Sequence, residues 1–255
     1  MLCRLAAEES AYLAEHFRLL EEADGEEKIS LSQLKDPEFL EDFLELLKTE
    51  LGTDSTLAAG SQLMKRIGYL AVVPPLYAAA VFKKALNMDF DACYLVPRRQ
   101  GDLWMPQLFL EDISALKLAG EARSNRFETF ARELFGGLAV VVQAVSTAAS
   151  VPKSVLWENV AVYVYWLYES HLMEESDSAV QLQARWDFEF ILNELPSSAF
   201  GERVNPLQKF YKKKTVATGE NETVRIRQTC CFSYETEGDK GYCKNCPKKP
   251  KKMIQ

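Results

Sequence analysis

Cys230-Cys231 and Cys243-Lys244-Asn245-Cys246-Pro247 place four of the chain's six cysteines within seventeen positions. Their neighbours are Gln228, Thr229, Ser233, Glu235, Gly238, Asp239, Lys240 and Asn245, a set too polar to build an apolar core. A cysteine used for packing behaves as a small hydrophobe and arrives singly among aliphatic residues. Clustered in a polar stretch, cysteines need another agent to order the chain, and a thiolate-bound metal centre does so directly.

The spacing bears on which metal. Cys243-x-x-Cys246 lets one turn offer both sulfurs to a single iron or zinc. Structural zinc normally adds a second such pair or a spaced His pair. Here there is no second pair of that spacing, and His16 and His171 lie far upstream. Adjacent cysteines tend to diverge, which suits four thiolates shared over two irons better than one small ion. Zinc remains open as an alternative, since vicinal cysteines also occur in zinc clusters. A disulfide reading has the least support.

Arg227-x-x-Cys230-Cys231-x-x-Tyr234, followed by Cys243-x-x-Cys246-Pro247, resembles the C-terminal signature of the FhuF-type ferric-siderophore reductases. The eleven residues between the two pairs are one more than is usual in that family, a small change in loop closure. Leu156-Trp157-Glu158-Asn159-Val160-Ala161 resembles the family's Trp and Asn before an apolar helix. The resemblance implies that Cys230, Cys231, Cys243 and Cys246 bind a [2Fe-2S] cluster. It also implies that the protein reduces ferric-siderophore iron to Fe(II) by one-electron transfer, releasing the iron in the cytoplasm. Hydroxamate or citrate-hydroxamate chelates are favoured, because their ferric complexes are easier to reduce. No Gly-rich phosphate loop or flavin signature is present, since Gly136-Gly137 lacks the flanking glycines and Lys. Electrons must then come from a separate donor protein.

Charge is unevenly placed. From Leu207 onward twelve Lys/Arg face five Asp/Glu, so a tail of +7 follows a body of −14. Lys212-Lys213-Lys214 and Lys248-Lys249-Pro250-Lys251-Lys252 invite a nucleic-acid reading. The charges lack interleaved stacking aromatics and the body is acidic, so no nucleic acid is expected. The alternative from a different class is a zinc-stabilised helical interaction or nucleic-acid-binding protein without redox activity. Arg225 and Arg227, just before the first cysteine, and Arg98 and Arg99, on a polar turn, are the candidate substrate-binding residues. Their guanidinium forks suit the oxygens of a ferric chelate.

The elements that must position these residues read as mainly α with a small β-hairpin (α+β): a helical body followed by a short, irregular C-terminal iron–sulfur-binding segment. The body is placed at 1–206 and the cysteine-rich segment at 207–255, with the boundary near 206–220. At 255 residues and 47% hydrophobic, the body can bury a large core. Helical spacing covers Ala6–Glu21, ended by Asp24-Gly25, and then Pro37–Leu51, opened by Asp36-Pro37. Ser55–Asn87 reads as a buried helical pair broken at Pro74-Pro75. Ala92–Pro97 and Leu103–Leu110 read as hairpin strands, edge-like because each carries a proline. Arg126–Glu133 is amphipathic, and Gly136-Gly137 precedes an apolar helix through Ala149. Further helices cover Ser154–Tyr168 and Ser178–Leu195. Tyr163, Tyr165, Trp166 and Tyr168 read as core before binding wall, and Trp157 and Asn159 as core anchor and hydrogen-bonder. The histidines read as surface or capping residues.

No apolar run reaches the length of a membrane span, the most apolar being Leu138–Val145 and Val160–Leu167. Peripheral membrane contact remains open. The first residues turn acidic before a signal-peptide core forms, so a cytoplasmic, reducing setting is expected, with Cys3 and Cys93 as free thiols.

Overall fold

In the computed structural model, which describes residues 1–216, 223–237 and 241–249, helices dominate. They run in the order α1 (Ala7–Phe17), α2 (Pro37–Leu51), α3 (Thr56–Tyr77), α4 (Arg123–Ala148), α5 (Lys153–Glu169), α6 (Ser178–Glu189) and α7 (Pro206–Phe210). The spine is α3 against α5. Both are apolar around nearly their whole circumference, as a helix inside a core must be. Gly68 lets them touch, since a Cβ there would lie 3.1 Å from the Cα of Val160.

Short strands complete the body: β1 (Leu2–Arg4), β2 (Leu19–Leu20), β3 (Ile29–Ser30), β4 (Lys84–Leu86), β5 (Cys93–Val96), β6 (Arg99–Gln100), β7 (Leu103–Trp104), β8 (Gln107–Leu110) and β9 (Ser114–Lys117). The expected hairpin is present: β5 pairs antiparallel with β8, Cys93 opposite Leu110, and β6 with β7 across Gly101 at φ +58°. Its strands are not edges. They occupy the middle of a four-stranded sheet ordered β2-β8-β5-β3, and Pro97 and Pro106 fall just outside them, where no ladder bond is lost. A second sheet, β1-β9-β4, was not legible because three- and four-residue strands show too little alternation.

The helix starting at Pro37 forms as expected. The Asp36 carboxylate accepts the Phe39 N–H at 3.1 Å, and Gly52 ends the helix in the left-handed conformation. Three expected boundaries shift. α1 stops at Phe17 instead of Asp24-Gly25, because Arg18 adopts φ +60° and Leu19–Leu20 leave to pair with Leu108–Phe109. α3 passes through Pro74-Pro75 and ends in a π-helical turn over Ala78–Phe82. The prolines remove two N–H donors, and burial of the surrounding turn offsets that loss. α4 runs unbroken through Gly136-Gly137; Gly137 is needed because the Phe90 ring sits 2.8 Å from where a Cβ would be.

That continuity makes a longer apolar helix than the separate short runs suggest. As one 26-residue helix, α4 is long and apolar enough to cross a membrane by length and composition. Its Leu134, Phe135, Leu138 and Val141 are fully buried in the core. Cys3 and Cys93 are free thiols, and burial, with Asp89 nearby, pushes Cys93 up to about 12.

Candidate metal centre

The tail reaches the spine through a short ribbon, β10 (Thr215–Val216) paired with β11 (Thr223–Val224). Directly after it, Arg225 donates to both carboxylate oxygens of Glu169 at 2.9 Å. Its guanidinium also lies over the rings of Tyr165 and Tyr211, 4.7 and 4.4 Å from their centroids. Burial alone would raise Glu169, but hydrogen bonds from Arg225, Tyr211 and Lys214 outweigh it and hold the carboxyl down at about 2.

Two residues on, the chain goes inward. Arg227 is only 5% exposed and donates from Nη2 to Asn159 Oδ1 at 2.6 Å, while its Nε lies 3.7 Å from Glu158 Oε2. Glu158 is itself buried, and its carboxylate accepts the backbone N–H groups of Gln228 and Thr229, each at 2.7 Å, and the Thr229 hydroxyl. From α3, Ser61 Oγ and Gln62 Nε2 both donate to the Cys231 carbonyl, at 2.9 and 2.6 Å. Asn159 Nδ2 in turn donates to the Ser61 carbonyl at 2.9 Å, and Arg66 holds the Gln62 side chain at 2.6 Å. Residues 227–231 therefore dock onto the helical spine through a polar network whose core, Arg227, Glu158, Asn159, Ser61 and Gln62, is buried; within it Arg227 Nε makes no hydrogen bond and faces the Glu158 carboxylate at 3.7 Å. A hydrogen bond in such a network adds about 1 kcal/mol net, but deleting one partner costs more, because the other is left dry and unpaired.

The rest of the segment folds around that anchor. Phe232 takes φ +59°, turning the chain so that its N–H points back to Cys230 Sγ at 3.4 Å. The Glu237 N–H then donates to the Leu51 carbonyl at 2.9 Å. Gly52 makes room for that contact, since a Cβ on it would meet the Glu237 side chain at 2.5 Å. The Arg227 N–H reaches the Asn245 carbonyl at 2.9 Å, tying the two halves of the segment together. The Cys246 N–H to Cys243 carbonyl bond at 3.0 Å closes the Cys-x-x-Cys turn.

The four sulfurs sit in one neighbourhood. Cys231 and Cys246 are buried, while Cys230 and Cys243 are half-buried. Cys243 lies close to Cys231 and within electrostatic reach of Cys246, and Cys230 is similarly near Cys231 and Cys246. The neighbouring Cys243 thiol, with Lys65 and Arg227 assisting, holds Cys231 below the ordinary thiol range against the opposing burial. The Lys248 N–H points at Cys246 Sγ at 3.4 Å, and the Ser233 hydroxyl lies 3.4 Å from Cys231 Sγ. Donors aimed at sulfur are what a cluster-bound thiolate requires.

Among the described residues, no three Cys, His, Asp or Glu side chains gather tightly enough to enclose one ion. A tetrahedral zinc would draw its sulfurs to roughly 3.8 Å from one another, given its ordinary Zn–S bond length. A two-iron centre divides its ligands into two pairs on separate metals, so four thiolates need not converge on a point. Four cysteine thiols, two of them with a backbone N–H directed at the sulfur, form a donor set that suits a thiolate-ligated two-iron centre.

A cavity of about 540 Å³ opens beside Cys231 and Cys243, walled by Tyr69, Tyr163 and Trp166 and bordered by Lys65 and Arg227. Trp166 also borders a smaller cavity of about 260 Å³, whose lining includes Glu169, Lys214 and Arg225. Of the four arginines singled out from sequence, Arg227 borders the cavity with Cys231 and Cys243, its guanidinium engaged by Asn159 and Glu158, while Arg225 lines the smaller cavity and is held by Glu169. Arg98 and Arg99 lie on the hairpin and pair with Glu26 and Glu50. Lys251 and Lys252 lie outside the described residues.

Comparison with known families bears on the same segment. Residues 227–248 match the family model described as the FhuF 2Fe-2S C-terminal domain. The cofactor is a [2Fe-2S] cluster. The match begins at Arg227, which docks the segment, and ends at Lys248, whose N–H points at Cys246; all four tail cysteines lie between them and are consistent with binding that cluster. No curated protein and no solved structure matches the chain.

Sequence reasoning missed Ser61, Gln62 and Lys65, and gave Glu158 no role. A signal was available: Glu158-Asn159 and Ser61-Gln62 each interrupt an otherwise apolar helical run, and a polar pair inside a core needs a partner. The aromatic cluster divides. Tyr165 and Tyr168 are buried core residues, while Tyr163 and Trp166 face the cavity.

Proposed function

We propose that this protein is a ferric-siderophore reductase, with Cys230, Cys231, Cys243 and Cys246 as the ligands of its [2Fe-2S] cluster. The observation carrying this reading is that Cys231 and Cys243 border a solvent-open cavity large enough for a small chelate, while the backbone behind them is locked to the body. When bound, the cluster supplies one electron to Fe(III), having taken it from a separate donor protein.

The protein's own residues do the rest by position. Glu158, Asn159, Ser61 and Gln62 hold the cysteine-bearing loop at a fixed depth, so donor and acceptor stay close without large rearrangement. The N–H groups of Phe232 and Lys248 stabilise negative charge on sulfur. Fe(II) holds hard oxygen ligands less tightly than Fe(III), so the iron is released and the freed oxygens take protons from water. On this reading the reaction belongs in the cytoplasm, a reducing setting in which Fe(II) and free thiols persist.

The test is a single-turnover assay on anaerobically purified protein. The brown, dithionite-reduced form, freed of excess reductant, is mixed with a ferric hydroxamate and a ferrous-specific dye. One Fe(II) per cluster, with return of the oxidised spectrum, is expected. A reduced spectrum that persists in the presence of every ferric chelate tried would reject the reading.

A further inference from the structure

The lining of the cavity beside Cys231 and Cys243 is chemically one-sided. Its basic side chains are Lys65, Arg227 and His16, and its lining holds no Asp or Glu. Arg227 has Glu158 beside it, but Lys65 forms no ion pair among the described residues. It is half-buried on α3, one turn beyond the Ser61-Gln62 pair that grips the Cys231 carbonyl. The opposite wall is aromatic. Tyr69 meets Tyr163 edge to face at 5.3 Å, and Trp166, at 6.5 Å from Tyr69, is backed by His171 at 5.1 Å. Trp166 nevertheless remains 40% exposed, a large aromatic surface held rigid but not covered.

Two negatively charged bodies meet at this place if the reduction reading holds. A thiolate-ligated two-iron centre is anionic, and any chelate with surplus carboxylates is repelled by it. A fixed cation between them cancels that repulsion at short range, where salt screens little. We propose that the cavity is the chelate-binding site, with Trp166 against the organic shell and Lys65 paired to a surplus carboxylate. The preferred substrate is then an anionic, citrate-built ferric chelate over a neutral tris-hydroxamate. This rests on the reduction reading for its biological sense, but binding can be measured without any electron transfer.

Gallium(III) chelates provide that separation, because gallium keeps the size and charge of ferric iron and is not reduced under these conditions. Equilibrium dialysis of cluster-loaded protein against the gallium citrate-hydroxamate and a neutral gallium tris-hydroxamate gives the two affinities. The citrate-built chelate should bind the wild type more tightly. Lys65→Met should weaken it about tenfold while changing the neutral one less than about twofold, as for loss of one charged contact. Trp166→Ala should weaken both, whereas Trp186→Ala, an exposed tryptophan on α6, should change neither.

Equal wild-type affinities for the two chelates, or unchanged affinities in both cavity variants, would overturn the proposal. A Lys65→Met variant with shifted cluster potential but unaltered chelate affinity would also overturn it, making Lys65 a counter-charge of the cluster alone. Failure of single-turnover reduction with intact gallium binding would instead reject the reduction reading and leave the binding site standing.

Discussion

The helical body and the cysteine segment are stabilised in opposite ways. Around α3 and α5 nearly every side chain is apolar and buried, so the fold follows from removing that surface from water. Between Arg225 and Lys249 the fully buried side chains among the described residues are few: Arg227, Cys231, Ser233 and Cys246, with Phe232 partly buried. What ties this segment to the body is a polar network, and a cluster bound by its cysteines would tie its two halves to each other. The difference teaches where each region breaks. The body fails when a cavity is opened in it, whereas the tail fails when one buried donor or one ligand is lost.

The largest effect should come from removing the metal. Structural metal sites contribute on the order of 10 kcal/mol to the segments they organise. Chelation under reducing conditions should therefore expose residues 227–249 to hydrogen exchange and protease while α1–α6 remain protected. Equal protection of the tail with and without metal would show that the docking network alone suffices. Replacing Cys231 by Ser should bleach or alter the cluster spectrum, and replacing Cys3 or Cys93 should not.

Next in size is the carboxylate at the centre of the network. Glu158→Ala leaves two backbone N–H groups, the Thr229 hydroxyl and Arg227 without their buried acceptor. A loss of about 3–5 kcal/mol is expected, the range for one partner of a buried charged pair. It should appear as faster cluster loss with a nearly unchanged helical circular-dichroism signal. Glu158→Gln, which keeps acceptor oxygen but not charge, should fall between. An equally stable Glu158→Ala cluster would mean that the ligands dock the tail unaided.

Smaller again is Gly52→Ala. A non-glycine residue at φ +59° costs about 1–2 kcal/mol, and the new Cβ must also displace the Glu237 side chain. The tail's second contact with the body should loosen, raising exchange at the Glu237 amide specifically, while melting of the helices changes little.

The smallest effect expected is at Glu169. Its folded-state carboxyl is held down to about 2 by Arg225, Tyr211 and Lys214, against an ordinary carboxylate value of 4.5. A depressed folded value means that the stabilisation is fully present above the ordinary value and fades as pH falls from about 4.5 toward 2. The urea midpoint of wild type should drop across that window, and Glu169→Gln should flatten this part of the profile.

The contrast between the regions also explains what could be read in advance. Helical periodicity and the Asp36-Pro37 start marked α2 because local sequence decides such features. The cysteines were legible because their spacing carries chemistry wherever the chain goes. Pro74-Pro75 and Gly136-Gly137 misled, since burial around α3 and the Phe90 ring against Gly137 override local signals with contacts remote in sequence. The docking network was hidden for the same reason. Ser61 and Cys231 are 170 residues apart, and nothing in either neighbourhood names the other.

That separation has a consequence for how the protein is made. The four tail cysteines follow α1–α7 in chain order, so α3 and α5 have left the ribosome before Cys230 exists. Their packing, with Gly68 against Val160, lines up Ser61, Gln62, Glu158 and Asn159 as a finished receptor awaiting the last peptide. A nascent chain whose spine is misassembled offers the loop no receptor, and its thiols stay open to exchange and oxidation. Cofactor loading thereby acts as a checkpoint on biosynthesis: the protein becomes coloured only once the part that carries no colour is complete.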